Sequence, residues 1–266
     1  MGELEQRAVD ARILTFYSEE FDEAARLTTR SAQGWLEFTR VQEIIRQYLP
    51  AGRVLDVGGA TGSHARSLMN SGYEVELIDP VPLHVGRAAE AGVSSRVGDA
   101  RALPFEDDSF DGVLLLGPLY HLASTSDRNG ALAEAKRVTL NGGIIFAAAL
   151  SRLIAFGAMS LGVSTPQPFP PTWIDLLATG RPAPELRFPA GHFHTAEELH
   201  AEVESAGLDV IQVVGIEGPA GLYLEELTEA QTTEREAALL IARAASAMPG
   251  IRDFSPHLLA IARVEG

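Results

Sequence analysis

The alternation of apolar and helix-forming stretches between Arg53 and Phe146 is the feature that most restricts how this chain folds. Segments rich in Ala, Leu, Arg and Glu at helical spacing, such as SDRNGALAEAKRVTL, separate the apolar runs. These runs have the length of strands and read, in order, RVLDV, YEVELID, SSRVGD, FDGVLLLG and GGIIFAAAL. Because strands covered by helices on both faces are apolar almost throughout, the pattern predicts an α/β fold with a doubly wound, mostly parallel sheet.

Further helices and two more strands flank this alternation. Before it, WLEFTRVQEIIRQYLP has apolar residues at three- and four-residue spacing, which predicts an amphipathic helix that ends at Pro50 and packs on the core. After it, Thr195 and Glu198 of TAEELHAEVESAGL form a capping box at a helix start. The strand DVIQVVGI, a helix over about 225–247 and the strand HLLAIARV follow, so the predicted sheet has seven strands.

The chain is predicted to consist of a helical N-terminal part and one catalytic-sized domain. We expect residues 1–49 to form a helical lid or cap and residues 50–266 to form the α/β core. The stretches STPQPFPPTW and GRPAPELRFPAG, between residues 151 and 194, are rich in proline and cannot lie inside a sheet. This insertion after the fifth strand is predicted to cover the substrate.

The charge and the cysteine content restrict the partners and the compartment. The 266 residues include 21 Lys and Arg against 36 Asp and Glu, a net charge of −15, without a strong basic patch. A phosphate backbone would meet repulsion, so no nucleic acid is expected as a partner. The lack of cysteine excludes disulfides and thiolate metal sites and fits a reducing compartment. Without a signal sequence or a long apolar run, we predict a cytoplasmic monomer or homodimer that binds no membrane.

The stretch VLDVGGATGSHA places three glycines after the first strand, directly behind an acid. A glycine turn between a strand and a helix brings backbone N–H groups and the positive helix end to a ligand, as in dinucleotide sites. The dehydrogenase pattern G-x-G-x-x-G is broken here, because Ala60 and Ser63 occupy two of its glycine positions. Asp56 also directs a negative charge to the place of a pyrophosphate, which favours a ligand bearing an ammonium or sulfonium.

At these residues the chain resembles a known family. LDVGGATG is similar to motif I of class I S-adenosylmethionine-dependent methyltransferases, and the resemblance extends in order from about Trp35 to the end of the chain. It implies a Rossmann-like methyltransferase fold, S-adenosylmethionine as the cofactor and S-adenosylhomocysteine as the product. Two departures, Ala60 where glycine is commoner and Asn141 where proline is commoner, remove no ligand group.

The resemblance also implies which residues bind the cofactor. Asp56 and the glycine loop would face its aminoacyl part, Asp79 in ELIDP its ribose hydroxyls, and Asp99 with the N–H of Ala100 its adenine. The full set of cofactor-binding residues is Asp56, Gly58, Gly59, Gly62, Asp79, Pro80, Asp99, Ala100 and Gly117. For Asp79 a second interpretation is a simple helix cap, because Asp-Pro is a common helix start.

The place where the methyl acceptor binds is predicted from LLLGPLYHL, at the end of the fourth strand. This stretch delivers Tyr120 and His121 to the carboxyl edge of the sheet, where ligands of such sheets bind. Family members that methylate amino groups of bases or proteins often carry an Asn/Asp-Pro-Pro-aromatic tetrad here. GPLY in its place indicates a small-molecule acceptor and resembles a bacterial subset with GPLYHL. Tyr120 or His121 orients the acceptor or takes its proton, or else packs under the next helix.

Two more regions supply candidate catalytic residues. Tyr17, in an aromatic and weakly helical segment, is predicted to close a lid over the cofactor, with ordinary helix packing as the alternative. In HFH, His192 and His194 project to one side of an extended chain. A metal site there lacks an evident third ligand, because the capping box already uses the neighbouring glutamate. We therefore expect no metal, and interpret the pair as lining the acceptor pocket or packing, with His192 or His194 near Tyr17, Tyr120 and His121.

The predicted function is methyl transfer from S-adenosylmethionine to an oxygen, nitrogen or carbon atom of a small acceptor. An in-line displacement chiefly requires alignment and exclusion of water, and a base only where the nucleophile carries a proton. Two alternatives are a regulatory module that binds the cofactor without chemistry and an NAD-dependent oxidoreductase, which the broken glycine pattern disfavours.

Overall fold

A seven-stranded sheet forms the centre of the molecule in a computed structural model that describes residues 2–154, 171–184, 186, 188–227 and 232–265. The strands are β1 Arg53–Val57, β2 Glu74–Asp79, β3 Ser94–Val97, β4 Phe110–Leu115, β5 Thr139–Leu150, β6 Asp209–Gly215 and β7 His257–Arg263. Their order is β3-β2-β1-β4-β5-β7-β6, and β7 alone runs antiparallel to its neighbours. The predicted doubly wound, mostly parallel sheet of seven strands is confirmed.

Helices flank this sheet on both faces and at its carboxyl edge. They are α1 Gly2–Thr15, α2 Glu23–Arg26, α3 Ala32–Tyr48, α4 Ser63–Met69, α5 Pro82–Glu90, α6 Pro118–His121, α7 Thr125–Val138, α8 Pro171–Thr179, α9 Ala196–Ser205, α10 Gly221–Glu225 and α11 Thr232–Ala245. The predicted capping box at Thr195 is present. The helix predicted over about 225–247 corresponds to α11, which begins later, while residues 228–231 lie outside the described chain.

Alternate residues of the central strands belong to two separate apolar layers. Leu55 and Val113 lie in the layer on one face of the sheet, and their neighbours Val54 and Leu114 lie in the layer on the other. Successive side chains of a strand point to opposite faces, so a strand buried on both faces must be apolar at every position. This explains why the apolar runs of the sequence are continuous instead of alternating.

The chain order reverses at β1, which pairs with β2 on one side and β4 on the other. In an open parallel sheet, the connections on the two sides of such a point diverge and leave a crevice at the carboxyl ends of the strands. The loop after β1, the end of β2 at Asp79 and the helix α6 after β4 meet at this crevice. The fold therefore brings the segments that follow three strands to one place.

The N-terminal helices divide between the crevice and the core. Gln6 of α1 donates to the backbone oxygen of His121 at 3.3 Å and accepts from the backbone nitrogen of Ala123 at 2.7 Å, which ties α1 across the carboxyl edge. The helix α3 instead packs in the apolar layer that contains Val54 and Leu114. The boundary of the lid at residue 49 remains a prediction, since α3 contributes to the core.

The segment between 151 and 194 is described only in part, because residues 155–170, 185 and 187 lie outside the described chain. Its described part contains α8 and returns to the sheet at His194, which forms a bridge with Ser151. Its predicted role in covering the substrate remains a prediction. Within the described residues, no helix has both the length and the apolarity needed to cross a membrane.

Candidate active site

One cavity at the carboxyl edge of the sheet joins the predicted cofactor residues to three of the four predicted catalytic residues. The predicted residues that line it are Tyr17, Asp56, Gly58, Gly59, Asp79, Pro80, Asp99, Ala100, Gly117, Tyr120 and His121. Gly62 and His194 are not in its wall. The cavity therefore brings together side chains from the N-terminal helices and from the ends of β1, β2 and β4.

The glycine loop takes a backbone path that larger residues resist. Gly58 has φ +72° and Gly62 has φ +80°, in the left-handed region that glycine adopts without strain. Ala60 also has a positive φ, of 49°, so this departure from the family pattern keeps the backbone conformation at a cost in strain. A Cβ atom at Gly59 would lie 2.6 Å from Cγ of Asp56, so only glycine allows the loop to pass over that carboxylate.

Asp56 is a buried carboxylate without a hydrogen-bond partner. Its side chain lines the cavity, the residue is 1% exposed, and neither carboxylate oxygen has a partner among the described residues. Burial, together with the negative charge of Asp79, raises the pKa of Asp56 to about 7. An unpaired buried carboxylate is costly unless a cation or donor meets it. The site therefore fits a ligand ammonium, as the sequence suggested.

Asp79 is held rigidly at the end of β2. One carboxylate oxygen accepts from the backbone nitrogen of Ala60 at 2.9 Å, and the other accepts from Val81 at 2.9 Å. The Nδ1 atom of His84 lies 3.2 Å from the second oxygen. The following helix begins at Pro82 with Val81 as its N-cap, so Asp79 is not a simple cap. A carboxylate offers about four acceptor sites, which leaves capacity for a ligand hydroxyl.

Asp99 is bound to an arginine that the sequence analysis did not single out. Arg101 contacts the Asp99 carboxylate with its backbone nitrogen at 2.8 Å and with its guanidinium, and also reaches Asp10 of α1 at 3.1 Å. Partial burial raises the pKa of Asp99, but the hydrogen bonds from Arg101 outweigh it and lower the pKa overall. The end of the cavity that is predicted to take the adenine is thus connected to α1 through an ion pair.

Tyr17 and His121 form a hydrogen-bonded pair inside the cavity. His121 Nδ1 lies 2.8 Å from the backbone oxygen of Pro189, which can only accept, so Nδ1 carries the proton. The lone pair on Nε2 then accepts from the Tyr17 hydroxyl at 3.2 Å. Burial lowers the pKa of His121 to about 4, which keeps the imidazole neutral at pH 7. The arrangement provides a neutral base whose unprotonated nitrogen, Nε2, faces Tyr17.

Tyr120 lies beside this pair. Its ring centroid is 4.7 Å from that of His121, and burial raises the pKa of its hydroxyl. Its backbone oxygen accepts from the nitrogen of Gly191 at 2.7 Å, which ties α6 to the segment that follows α8. Tyr120 packs in a small apolar cluster and also lines the cavity, and its predicted role toward the acceptor stays a prediction.

His194 lies away from the cavity, in contrast to its predicted place. It is 0% exposed, and its Nε2 atom contacts Glu202 at 3.1 Å, while Glu202 also pairs with Arg128 at 2.6 Å. The ring of His192 lies 4.5 Å from that of His194 and is likewise outside the cavity wall. The bridge to Ser151, just after β5, directs the His194 side chain into the protein interior. We therefore do not retain His194 as a catalytic candidate.

A buried ionic cluster, formed by Glu23, Arg26, Glu37, Glu217 and His257, adjoins the cavity and was missed from the sequence. Arg26 contacts Glu23 at 2.6 Å and Glu37 at 2.6 Å, and His257 pairs with Glu217. Burial alone opposes ionisation, but Arg26 and His257 lower the pKa of Glu37 to about 2, and Glu217 and Glu37 raise the pKa of His257 to about 9. A metal ion could in principle be held by the side-chain ligand atoms of Glu37, Glu217 and His257, which lie within 4.8 Å of one another. Arg26, however, already donates to both oxygens of the Glu37 carboxylate.

Comparison with known proteins relates a part of the chain to methyltransferases. Residues 55–147 match the family described as methyltransferase domain, a segment that runs from β1 into β5. A crystal structure of the Burkholderia thailandensis 1,6-didemethyltoxoflavin-N1-methyltransferase, with 1,6-didemethyltoxoflavin and S-adenosylhomocysteine bound, has a TM-score of 0.62 and 14% identity. The match covers 100% of this chain and 91% of that one, and shows a shared fold.

Two curated relatives match shorter parts of the sequence. A demethylmenaquinone methyltransferase from Renibacterium salmoninarum is 32% identical over 158 residues, which cover 58% of this chain and 61% of the relative. A probable tRNA methyltransferase 9B from Homo sapiens is 29% identical over 104 residues, covering 39% of this chain and 22% of the relative. The chain thus matches less than two thirds of the length of these relatives.

Proposed function

We propose that this chain, which carries a class I S-adenosylmethionine-dependent methyltransferase domain, transfers the methyl group to a small molecule bound between Tyr17, Tyr120 and His121. The observation that carries the proposal is the single cavity that joins Asp56 and Asp79 to the Tyr17–His121 pair. A site that only bound the cofactor would need no neutral base beside it.

The described residues fit the cofactor. Asp56 would meet the cofactor ammonium, which removes the cost of an unpaired buried carboxylate. Asp79 would accept from a ribose hydroxyl while the backbone nitrogens of Ala60 and Val81 hold its orientation. When bound, S-adenosylmethionine supplies a methyl group on a cationic sulfur that a nucleophile can displace in line. The protein has to hold the nucleophile in line and keep water out.

His121 is the proposed base. The bond from Nδ1 to the backbone oxygen of Pro189 fixes both the ring orientation and the tautomer, so that Nε2 is free to accept a proton. In the proposed complex an O–H or N–H group of the acceptor takes the place of the Tyr17 hydroxyl at Nε2. A pKa of about 4 keeps His121 unprotonated at pH 7 but makes it a weak base, so it takes the proton only as the new bond to methyl forms and makes that proton acidic.

Tyr17 and α1 are proposed to exclude water from the reaction. Tyr17 reaches over the cavity to His121, and its ring contacts that of His84, which in turn lies on Asp79. The contacts of Gln6 with the segment after α6 hold α1 in the same closed position. A lid of this kind has to open for each substrate and close for the reaction.

Several features favour a small acceptor over a nucleic acid. The net charge of −15 opposes a phosphate backbone, and helices α1 and α2 cover the cavity. Demethylmenaquinone and didemethyltoxoflavin, in the names of two similar proteins, are small molecules. A probable tRNA methyltransferase is also among the similar proteins, so the test below includes transfer RNA. We further propose that the protein is cytoplasmic and is a monomer or homodimer.

The test is turnover of S-adenosylmethionine with a library of small acceptors, with S-adenosylhomocysteine as the readout. We expect at least one acceptor to give product in the wild type and none to do so at a comparable rate in His121→Gln. Calorimetry with S-adenosylmethionine and NAD separates this proposal from an oxidoreductase. Tight binding of NAD, or methyl transfer to transfer RNA but to no small molecule, would refute it.

A further inference from the structure

We propose that the acceptor is an uncharged aromatic compound with an ionisable O–H or N–H group, and that the cavity discriminates against anionic analogues of the same shape. This acceptor class presupposes the methyl transfer proposed above and specifies its substrate. The basis is a juxtaposition at the acceptor end: an aromatic wall stands beside an arginine whose charge two carboxylates already balance.

The aromatic wall consists of Tyr17, Tyr120 and His121. The centroids of Tyr17 and Tyr120 lie 5.7 Å and 4.7 Å from that of His121, and Phe188 supports His121 from behind at 5.2 Å. Aromatic side chains at such distances favour a further planar ring packed edge-on or offset against them. Aliphatic side chains of α1, among them Ile13, complete the wall. The shape and chemistry of this end suit a ring system.

Arg26 offers hydrogen bonds but little net charge. Its Nε donates to Glu23 at 2.6 Å, and its Nη1 donates to both oxygens of Glu37 at 2.8 Å and 2.6 Å. Its Nη2 takes part in none of these bonds, and the side chain is 22% exposed where it lines the cavity. A neutral carbonyl or hydroxyl oxygen can therefore accept from Arg26, whereas an anion would face two carboxylates around one cation.

The charges behind Arg26 strengthen this discrimination. The buried ionic cluster contains three carboxylates, those of Glu23, Glu37 and Glu217, and two cations, Arg26 and His257, so one negative charge remains. Charges out of water interact strongly, so a second negative charge nearby is unfavourable. Arg101, the other arginine in the described cavity wall, is held by Asp99 and Asp10.

The requirement for a proton on the acceptor follows from His121. Its Nε2 accepts from Tyr17, so an incoming acceptor satisfies this nitrogen only if it donates a hydrogen bond in turn. The imidazole is neutral and provides no positive charge for an acceptor that is already ionised. Both features select a neutral acceptor that loses its proton during the reaction.

The test measures binding of matched ring compounds to the full chain in the presence of S-adenosylhomocysteine by calorimetry at pH 7.5. The probes are 2-naphthol, 6-hydroxy-2-naphthamide and 6-hydroxy-2-naphthoic acid, of which the last two share a shape but differ in charge. We expect the amide to bind about tenfold more tightly than the carboxylate, because like charges in the cavity repel. In Glu23→Gln, where Arg26 keeps only one carboxylate partner, this ratio should fall about threefold or more.

The matched control is Glu43→Gln, which removes a carboxylate that pairs with Arg40 and Arg243 outside the cavity wall and should leave the ratio unchanged. Carboxylate binding equal to or tighter than amide binding in the wild type would overturn the inference, as would binding of none of the three probes. An unchanged ratio in Glu23→Gln would also overturn it. Because these are binding measurements, they test the charge rule independently of turnover, and only the acceptor library described above tests methyl transfer itself.

Discussion

The two ends of the cavity are built in different ways. The cofactor end consists of backbone and acids at the carboxyl ends of adjacent parallel strands, where Asp56 and Asp79 lie close because the sheet register places them so. The acceptor end joins distant segments: Tyr17 meets His121 across 104 positions, and His121 meets Pro189 across 68. The sheet therefore fixes the first end, whereas the packing of peripheral helices fixes the second.

If the two ends of the cavity act independently, deletion of residues 2–21 should give the largest difference between them, with turnover of the acceptor impaired far more than binding of the cofactor. The deletion removes α1 and Tyr17 but keeps Arg26 with its buried partner Glu37. We expect turnover to fall by about 100-fold or more, because the acceptor is no longer held and water enters, with a change of less than about tenfold in cofactor affinity. Product formation and calorimetry measure both quantities. Normal turnover of the shortened chain would mean that α1 is no lid.

Replacement of the base should be as selective, with an effect on turnover of comparable size. For an acceptor that carries a proton, His121→Gln should lower kcat by about 10²–10⁴-fold, the usual contribution of general base catalysis, with cofactor affinity unchanged. Tyr17→Phe removes one hydrogen bond to the same nitrogen, so we expect only about a fivefold effect. Equal losses in both variants would show that the pair acts as a packing unit and not as a base.

At the cofactor end, Asp79→Ala should weaken S-adenosylmethionine binding by about 1.5–3 kcal/mol, the range for hydrogen bonds to a charged group. The variant also leaves the Ala60 nitrogen without its acceptor, which loosens the glycine loop. The exposed Asp209 at the start of β6 offers the control, since Asp209→Ala should leave affinity unchanged. Calorimetry measures both. Unchanged affinity in a folded Asp79→Ala protein would refute the ribose assignment.

The smallest effect is a pH dependence that only the cofactor end should show. Asp56 has a pKa of about 7, raised by burial and by Asp79, so it is protonated at pH 6 and charged at pH 8. Affinity for S-adenosylmethionine should therefore rise by about tenfold in total across this interval, as the charged fraction of Asp56 grows from about a tenth to about nine tenths, and an analogue without the amino group should show no such rise. A flat profile for S-adenosylmethionine would contradict the ammonium contact.

The raised pKa of Asp56 also determines how the stability of the cofactor-free protein changes with pH. Because the folded pKa lies above the unfolded value of 3.8, the contribution of Asp56 to stability is complete below that value and is lost as the pH rises through 7. We expect Asp56→Asn to raise the Tm at pH 8 by a few degrees and to have less effect at pH 5. Thermal unfolding followed by circular dichroism measures this change.

The sequence was sufficient for the sheet because burial on both faces leaves a local signal. The runs at RVLDV and YEVELID became β1 and β2 with nearly the predicted bounds, and the glycine loop followed from three residues and one acid. Strand β5 starts at Thr139, ahead of the predicted run, because polar residues at its start pair with β4. Apolar periodicity marks where a strand is buried and not where its hydrogen bonds begin.

The acceptor end gave a weaker signal, which indicated Tyr17, Tyr120 and His121 but not the buried ionic cluster beside them. Arg26 and Glu37 form a buried pair only because α2 folds back on α3, and no spacing rule connects either of them with His257. His194 shows the opposite error, because its alternation with His192 was recognised but its direction was not. Ion pairs between distant segments depend on how helices dock, which residue types alone do not determine.

The position of β7 has a consequence for how the chain is synthesised. Although it lies last in the sequence, it stands between β5 and β6 and carries His257, the cation beside Glu217 and Glu37. While the ribosome is still adding residues, β5 has an open edge and the glutamates lack this partner. The nascent half that contains the glycine loop can thus assemble early, but its sheet edge and the ionic cluster behind the acceptor end are completed only after β7 has been synthesised and has paired with β5.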